Sequence, residues 1–186
     1  FSAEEAMTYL NTYLPEDIRV LDAEETDEKF HSRLNAAGKL YRYRVWTGEK
    51  RPVFQRRYLY GLGKSLDVQA MKQAAELLVG TRDFRSFCAN RRMKKSTVRT
   101  LFSIDFRQQG EELAMEFYGD GFLYHMVRIL AGTLIEVGEG KRPPESVTDI
   151  LEAKNRQAAG FTAPAEGLCL VRVDYGTAKA GKRRWQ

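Results

Sequence analysis

One cation in a long apolar run is the residue of this sequence that most demands a chemical explanation. From Gly121 to Ile135, Arg128 is the only formally charged side chain. A guanidinium does not shed its proton, so burying it calls for a carboxylate or phosphate partner. Leaving it unpaired costs about 3–5 kcal/mol. A structural ion pair, or a tip that snorkels to water, would meet the same demand without any function. A second constellation is Tyr41 and Tyr43, alternating with Arg42 and Arg44 behind Lys39. Aromatics beside cations suit the stacking of nucleobases, and they equally suit the packed edge of a core. Just upstream, Phe30-His31-Ser32-Arg33 sets an aromatic, an imidazole and a guanidinium side by side.

Charge is concentrated in two places. Between Lys39 and Arg57 seven cations face one carboxylate, Glu49, and between Arg82 and Lys95 six face one, Asp83. The second run ends in Arg91-Arg92-Met93-Lys94-Lys95, a basic loop of the kind that can follow a phosphate backbone. A single charge run is ordinarily a solvated face; two of them, on a chain with net charge +5 and pI near 9.2, point to a polyanion. Metal and thiol chemistry have little to build on. Cys88 and Cys169 form no CxxC, and the two histidines, His31 and His125, have no metal-binding spacing. Asp83, Asp105, Asp120 and Asp174 each read as turn, strand-face or cap residues. No bound metal and no cofactor are expected, and no catalytic triad or phosphate-binding glycine loop stands out.

The elements that must position these residues follow from local signals. At 186 residues, 43% hydrophobic and 30% charged, the chain is long enough for a real core. It has no membrane-length apolar stretch and no signal peptide, so a cytoplasmic protein is expected. Starting at Phe1 and running straight into a helix signal, it reads as a piece of a longer protein. Ser2 and Glu5 form a capping box for a helix from Ala3 to Leu14, which Pro15 ends. Short strands are expected over Ile18–Glu24 and Lys39–Trp46, the latter with Tyr41, Tyr43 and Val45 on one face. Asp67 caps a helix carrying Val68, Met71, Ala75 and Leu78 on one side, and Gly80 stops it. Val98–Arg107 and Leu113–Tyr118 alternate around Gln109-Gly110 as an antiparallel hairpin, with Val98, Thr100, Phe102, Ile104 and Phe106 inward. A buried helix is expected from Gly121 to Val137 with Asp120 as its N-cap, then a short helix over Val147–Lys154. A last strand covers Leu168–Tyr175, with Cys169, Val171 and Val173 sharing a side. Hairpins and helices in this order indicate an α+β fold, an antiparallel sheet with helices mainly on one face.

Five collinear segments resemble one family. Phe30-His31-Ser32-Arg33 with Ala37-Gly38-Lys39-Leu40-Tyr41-Arg42-Tyr43 is similar to its F-H-A-R…A-x-x-K/R-x-Y-x-Y, and Gly80 to Phe87 to its G-x-x-D-F-x-S-F. Gly121 to Arg128 with Ala131 to Leu134 resembles F-x-x-H-M-V-R…G-x-L, and Ala163 to Leu170 resembles A-x-A-x-G-L-x-L. Leu10-Asn11 and Leu14 to Ile18 match L-N…L-P-x-D-I. The family is tRNA pseudouridine synthase A. The resemblance implies a partial pseudouridine synthase catalytic domain over residues 1–176, with 177–186 a basic, loose tail. It implies isomerisation of neighbouring uridines on the 3′ side of the tRNA anticodon stem-loop by base flipping, in a cytoplasmic homodimer that needs no cofactor.

By motif position, Tyr41 would stack on the flipped uracil and Arg128 would pair with a nucleophilic aspartate and keep it ionised. Phe30, His31, Ser32, Arg33 and Leu34 would touch the RNA, as would Arg91, Arg92, Met93, Lys94 and Lys95. The family's nucleophile lies in an R-T-D-A-G segment that this sequence does not contain, so the 186 residues alone are expected to be inactive. A non-catalytic RNA-binding module is the alternative reading, and a structural domain with a merely basic surface is a third.

Overall fold

The computed structural model describes residues 1–90 and 92–176, and they divide into two compact units, 1–35 and one beginning at Ala36. In the first, α1 (Ala3–Tyr13) starts on the expected capping box. Glu5 N–H donates to Ser2 Oγ (3.2 Å) and Ser2 N–H to Glu5 Oε2 (2.8 Å). No residue of α1 is buried. The strand expected at 18–24 does not form. The Asn11 amide instead takes both backbone groups of Val20, accepting its N–H and donating to its carbonyl, each at 2.9 Å. A side chain thus does the work of a neighbouring strand for Val20, and the segment joins no ladder.

In the second unit six strands of the described residues form one sheet. They are β1 (Gly38–Trp46), β2 (Tyr60–Gly61), β3 (Gly80–Asp83), β4 (Val98–Gln109), β5 (Glu112–Gly119) and β6 (Leu168–Asp174). The order is β2-β1-β5-β4-β3, with β6 beside β1 on the β2 side. All pairings are antiparallel except the two-residue contact of β1 with β2. The described residues of this unit form three α-helices: α2 (Val68–Leu78), capped by Asp67 as expected, α3 (Met126–Gly138) and α4 (Ser146–Ala153). The core joins Tyr43, Val45, Leu113, Met115 and Phe117 of the sheet to Met71 and Leu78 of α2 and to Ile129, Leu130 and Leu134 of α3. The opposite sheet face carries ion pairs, Arg42–Glu116 (2.6 Å) and Arg44–Glu112 (2.7 Å). The α+β class with helices over one apolar sheet face therefore holds, and two cations of the first basic run are already spent on carboxylates.

Two bulges shift the expected alternation. On β4 the register slips between Leu101 and Ser103, so Leu101 is fully buried while Phe102 turns out and is 47% exposed. Phe102 instead lies against Tyr118 on the outer face, ring centroids 5.1 Å apart. On β6, Leu170 pairs with Tyr41 and Arg172 with Leu40, so Val171 has no partner opposite. Because side chains alternate with period 2, Cys169 and Val173 fall on opposite faces rather than sharing one.

The helix expected from Gly121 begins five residues later. Asp120 accepts the Thr100 backbone N–H (3.0 Å) and is thereby committed to the sheet rather than to a helix cap. The chain then closes a turn, Met126 N–H to Leu123 O (3.0 Å), with His125 left-handed at φ 60° immediately before α3. Every residue of α3 except Arg128 and Glu136 is buried. The chain at 158–163 lies directly on this helix. A Cβ on Gly132 would overlap the Phe161 carbonyl, and one on Gly160 would stand 2.7 Å from Thr133 Cα. Among the described residues no helix is long and apolar enough to cross a membrane.

Candidate active-site cleft

The delayed start of α3 puts Arg128 in its first turn rather than in mid-helix. The side chain is therefore half-buried at the helix N-terminus, the end whose dipole also favours anions. Two bonds fix its base. Ala163 N–H donates to the Arg128 carbonyl (3.1 Å), and Arg128 Nε donates to the Ala163 carbonyl (2.6 Å). The absence of a side chain on Gly132, one turn on, lets the 161–163 segment come close enough for this exchange. Nη1 lies 3.5 Å from His125 Nε2. Among the described residues no carboxylate pairs with Arg128.

Arg128 and Tyr41 open into one cavity of about 130 Å³, which Phe122, His125 and Leu168 also line. Strand β1 delivers Tyr41 there, with its ring edge-on to Phe122 at 5.1 Å. Tyr43, two residues on, is a different residue altogether. It is fully buried and its hydroxyl donates to the Pro164 carbonyl (2.7 Å). Burial, helped by Glu166 and Tyr60 and opposed by Arg128, pushes its phenol far above the usual range, so it stays a neutral donor. Its role is to hold the 164–167 turn, where Gly167 sits tight against the ring and the Arg44 carbonyl. Leu168 then enters the cleft from β6.

His125 is the residue here that sequence reasoning left without a role. Its ring stacks on Tyr124 at 3.9 Å and 24°. Burial, and then the positive charge of Arg128, lower its pKa below the ordinary imidazole value. It is thus neutral at neutral pH, able to share a proton but not to neutralise an incoming anion. Its position in the F-x-x-H-M-V-R match was the available signal.

Among the described residues of the second unit no aspartate lines the cleft. Asp83 accepts from the Thr97 hydroxyl (2.5 Å), Asp120 from Thr100 N–H, Asp105 from the Ser103 hydroxyl (2.8 Å), and Asp174 pairs with Arg172 (2.8 Å). Phe30 to Leu34 lie in the first unit as an exposed turn. It is organised by His31, whose Nδ1 accepts the N–H groups of Arg33 (3.2 Å) and Leu34 (3.3 Å). Arg92, Lys94 and Lys95 are exposed in the second unit, while Met93 turns in to pack on the core. Arg91 and the tail at 177–186 lie outside the described residues. The described residues contain no cluster of side chains fit to hold a metal ion.

Comparison with known proteins decides the family. Residues 74–176 match the model of the tRNA pseudouridine synthase family. The chain is 47% identical over 174 residues to tRNA pseudouridine synthase A of Geobacillus kaustophilus, covering 94% of this chain and 67% of that protein. The chain belongs to the tRNA pseudouridine synthase A family. The Bacillus subtilis tRNA pseudouridine synthase A is 48% identical over 166 residues, covering 89% of this chain and 67% of the relative. A Bacillus cereus tRNA pseudouridine synthase A 1 is 45% identical over the same length. The chain thus spans about two thirds of the synthase A relatives, their C-terminal part. The cleft residues Tyr41, His125 and Arg128 all fall in segments that resemble synthase A motifs.

Proposed function

We propose that this chain forms one wall of the catalytic cleft of a tRNA pseudouridine synthase, which isomerises uridine to pseudouridine in the anticodon stem-loop without a cofactor. The observation that carries the reading is that Arg128, with no carboxylate partner among the described residues, opens into the same cavity as the Tyr41 ring. In this proposal the nucleophile is an aspartate from outside these 186 residues. Its carboxylate seats against Arg128, whose guanidinium keeps it ionised and aimed.

The target nucleotide must leave the stacked stem, because the reacting bonds are inaccessible within it. Tyr41 then stacks on the flipped uracil. The carboxylate attacks C1′ as the N1–C1′ bond breaks and the uracil leaves as its anion; the uracil turns, C5 bonds to C1′ as the carboxylate departs, and N1 takes up a proton while the one on C5 is removed with help from the Tyr41 hydroxyl. His125, neutral and against Arg128, completes the cation's surroundings without competing for the carboxylate. The exposed Phe30 to Leu34 turn and the basic residues of the 91–95 segment supply RNA contacts. The protein acts in the cytoplasm, as a homodimer.

Because no aspartate among the described residues of the second unit lines the cleft, the 186 residues by themselves act as an RNA-binding module. Purified alone they are expected to bind tRNA with salt-dependent affinity and to release no tritium from tRNA labelled at uridine C5. The full-length protein releases it, and Tyr41→Phe and Arg128→Lys slow the release. Near-normal rates in both variants, or turnover by the isolated chain, overturn the assignment. A monomeric mass of the full-length protein in solution removes the dimer.

A further inference from the structure

A second cavity, of about 280 Å³, shares no residue with the Tyr41–Arg128 cleft. It lies between the Arg85–Phe87 turn and the end of α4. Among the described residues its charged lining is Arg85, Lys154 and Arg156, and no carboxylate lines it. Asp83 sits just outside, 3.5 Å from Lys154 Nζ. Arg156 is partly engaged by the Gly160 carbonyl and the Thr162 hydroxyl, both at 2.9 Å, so it contributes positive charge while holding its own turn.

Two of the three lining amides, Asn90 and Asn155, are oriented by their neighbours. Asn90 Oδ1 accepts Arg92 N–H and Asn155 Oδ1 accepts Gln157 N–H, each at 3.0 Å. A backbone N–H can only donate, so the atom facing it in each amide must be oxygen, which leaves both N–H donors of each NH2 uncommitted by these bonds. The cavity therefore presents cations and donors, the requirements of a phosphate group rather than of a cation or an apolar ligand. It is also preformed. The buried Ser86 hydroxyl donates to the Ile150 carbonyl (2.5 Å) and accepts Asn155 N–H (2.9 Å), locking the Arg85–Phe87 turn to α4.

A path leads from here to the cleft. Asn90 also lines an open hollow with Arg92 and Tyr124. Tyr124 is 60% exposed, and its ring stacks on His125, which lines the cleft. We propose that the Arg85–Lys154 cavity holds a backbone phosphate of the tRNA beside the nucleotide being modified, with the Tyr124 face as the stacking step between them. The proposal rests on the tRNA-modifying reading and adds to it a subsite outside the reacting cleft.

The test is tRNA binding by the chain across a salt series, for wild type, Lys154→Gln, Gln157→Glu and the double variant. Lys154 and Gln157 are exposed and outside the cleft, and unchanged thermal midpoints check that folding is intact. Each single variant should weaken binding about 3–10-fold at low salt. Lys154→Gln should make the slope of log K against log salt shallower by roughly 1. In the full-length protein KM for tRNA should rise while kcat at saturating tRNA holds. Unchanged affinity and slope in both single variants overturn the proposal. So does loss of the difference between wild type and variants in millimolar inorganic phosphate, which would make the cavity a site for small anions. A full-length protein that makes no pseudouridine sinks the isomerase reading instead, and leaves the salt slopes to decide the subsite.

Discussion

Replacing Arg128 with lysine keeps the charge and removes the fork, so it separates the two things the guanidinium does. Nε is bonded to the Ala163 carbonyl at 2.6 Å and Nη1 stands 3.5 Å from His125 Nε2, so the plane is held at Nε while the side chain lines the cleft. A lysine ammonium is a single point. It can sit on the Ala163 carbonyl or meet a carboxylate in the cleft, but it cannot hold the fixed fork geometry that does both. One charge-assisted hydrogen bond lost at the point of reaction is worth about 1.5–3 kcal/mol. At about 1.36 kcal/mol per factor of ten, kcat/KM should fall roughly 10- to 150-fold.

Stability should change much less. The 160–163 chain keeps Ala163 N–H to the residue-128 carbonyl (3.1 Å), Gly160 N–H to Thr133 Oγ1 (3.0 Å) and Phe161 N–H to Glu136 Oε1 (3.2 Å). A stability loss of no more than about 1 kcal/mol is expected by urea denaturation. The kinetic assay is single-turnover tritium release from C5-labelled tRNA by the full-length protein, with binding measured separately. A rate within threefold of wild type would refute the idea that the Arg128 guanidinium is spent on the nucleophile. A large drop in stability with a matching loss of tRNA binding would show that the residue serves only the fold.

Tyr43→Phe removes a donor from the buried Pro164 carbonyl and should cost about 1–3 kcal/mol of stability, whereas Tyr41→Phe should leave the denaturation midpoint nearly unchanged and slow turnover instead. Gly132→Ala drives a methyl into the Phe161 carbonyl and should destabilise by about 1–3 kcal/mol or more, read as a lowered thermal midpoint. The Thr97 hydroxyl first, then Arg85 N–H and Lys154, hold the Asp83 carboxyl below its ordinary value against the opposing effect of burial. That stabilisation is present above the unfolded carboxyl value of about 4 and is lost as pH falls through the lower folded value. Thr97→Val should therefore lower stability at neutral pH and narrow its gap to wild type in acid. An equal gap at both pH values would show that Asp83 is not the group responsible.

Signals that act within a few residues were legible in the sequence. The Ser2–Glu5 box and Asp67 fixed their helix starts, Gly110 turned the hairpin, and Tyr43, Val45, Met115 and Phe117 showed the buried sheet face by strict alternation. The collinear motifs were enough to identify the family, because each joins residue types at spacings that chance seldom repeats in order. Tertiary structure decided what depends on a partner in space. Asp120 looked like a helix cap until the Thr100 N–H claimed it, which moved Arg128 from mid-helix to the first turn and opened its side chain to the cleft. Tyr41 and Tyr43 share a strand face and chemistry, and only the Pro164 carbonyl and the Phe122 edge tell the core residue from the cleft residue. The bulges at Phe102 and Val171 carry no local mark, since an extra residue is absorbed where two strands must meet at both ends. Local chemistry set which elements form; the competition of backbone groups for partners across the sheet and helix set which side chains remain available to react.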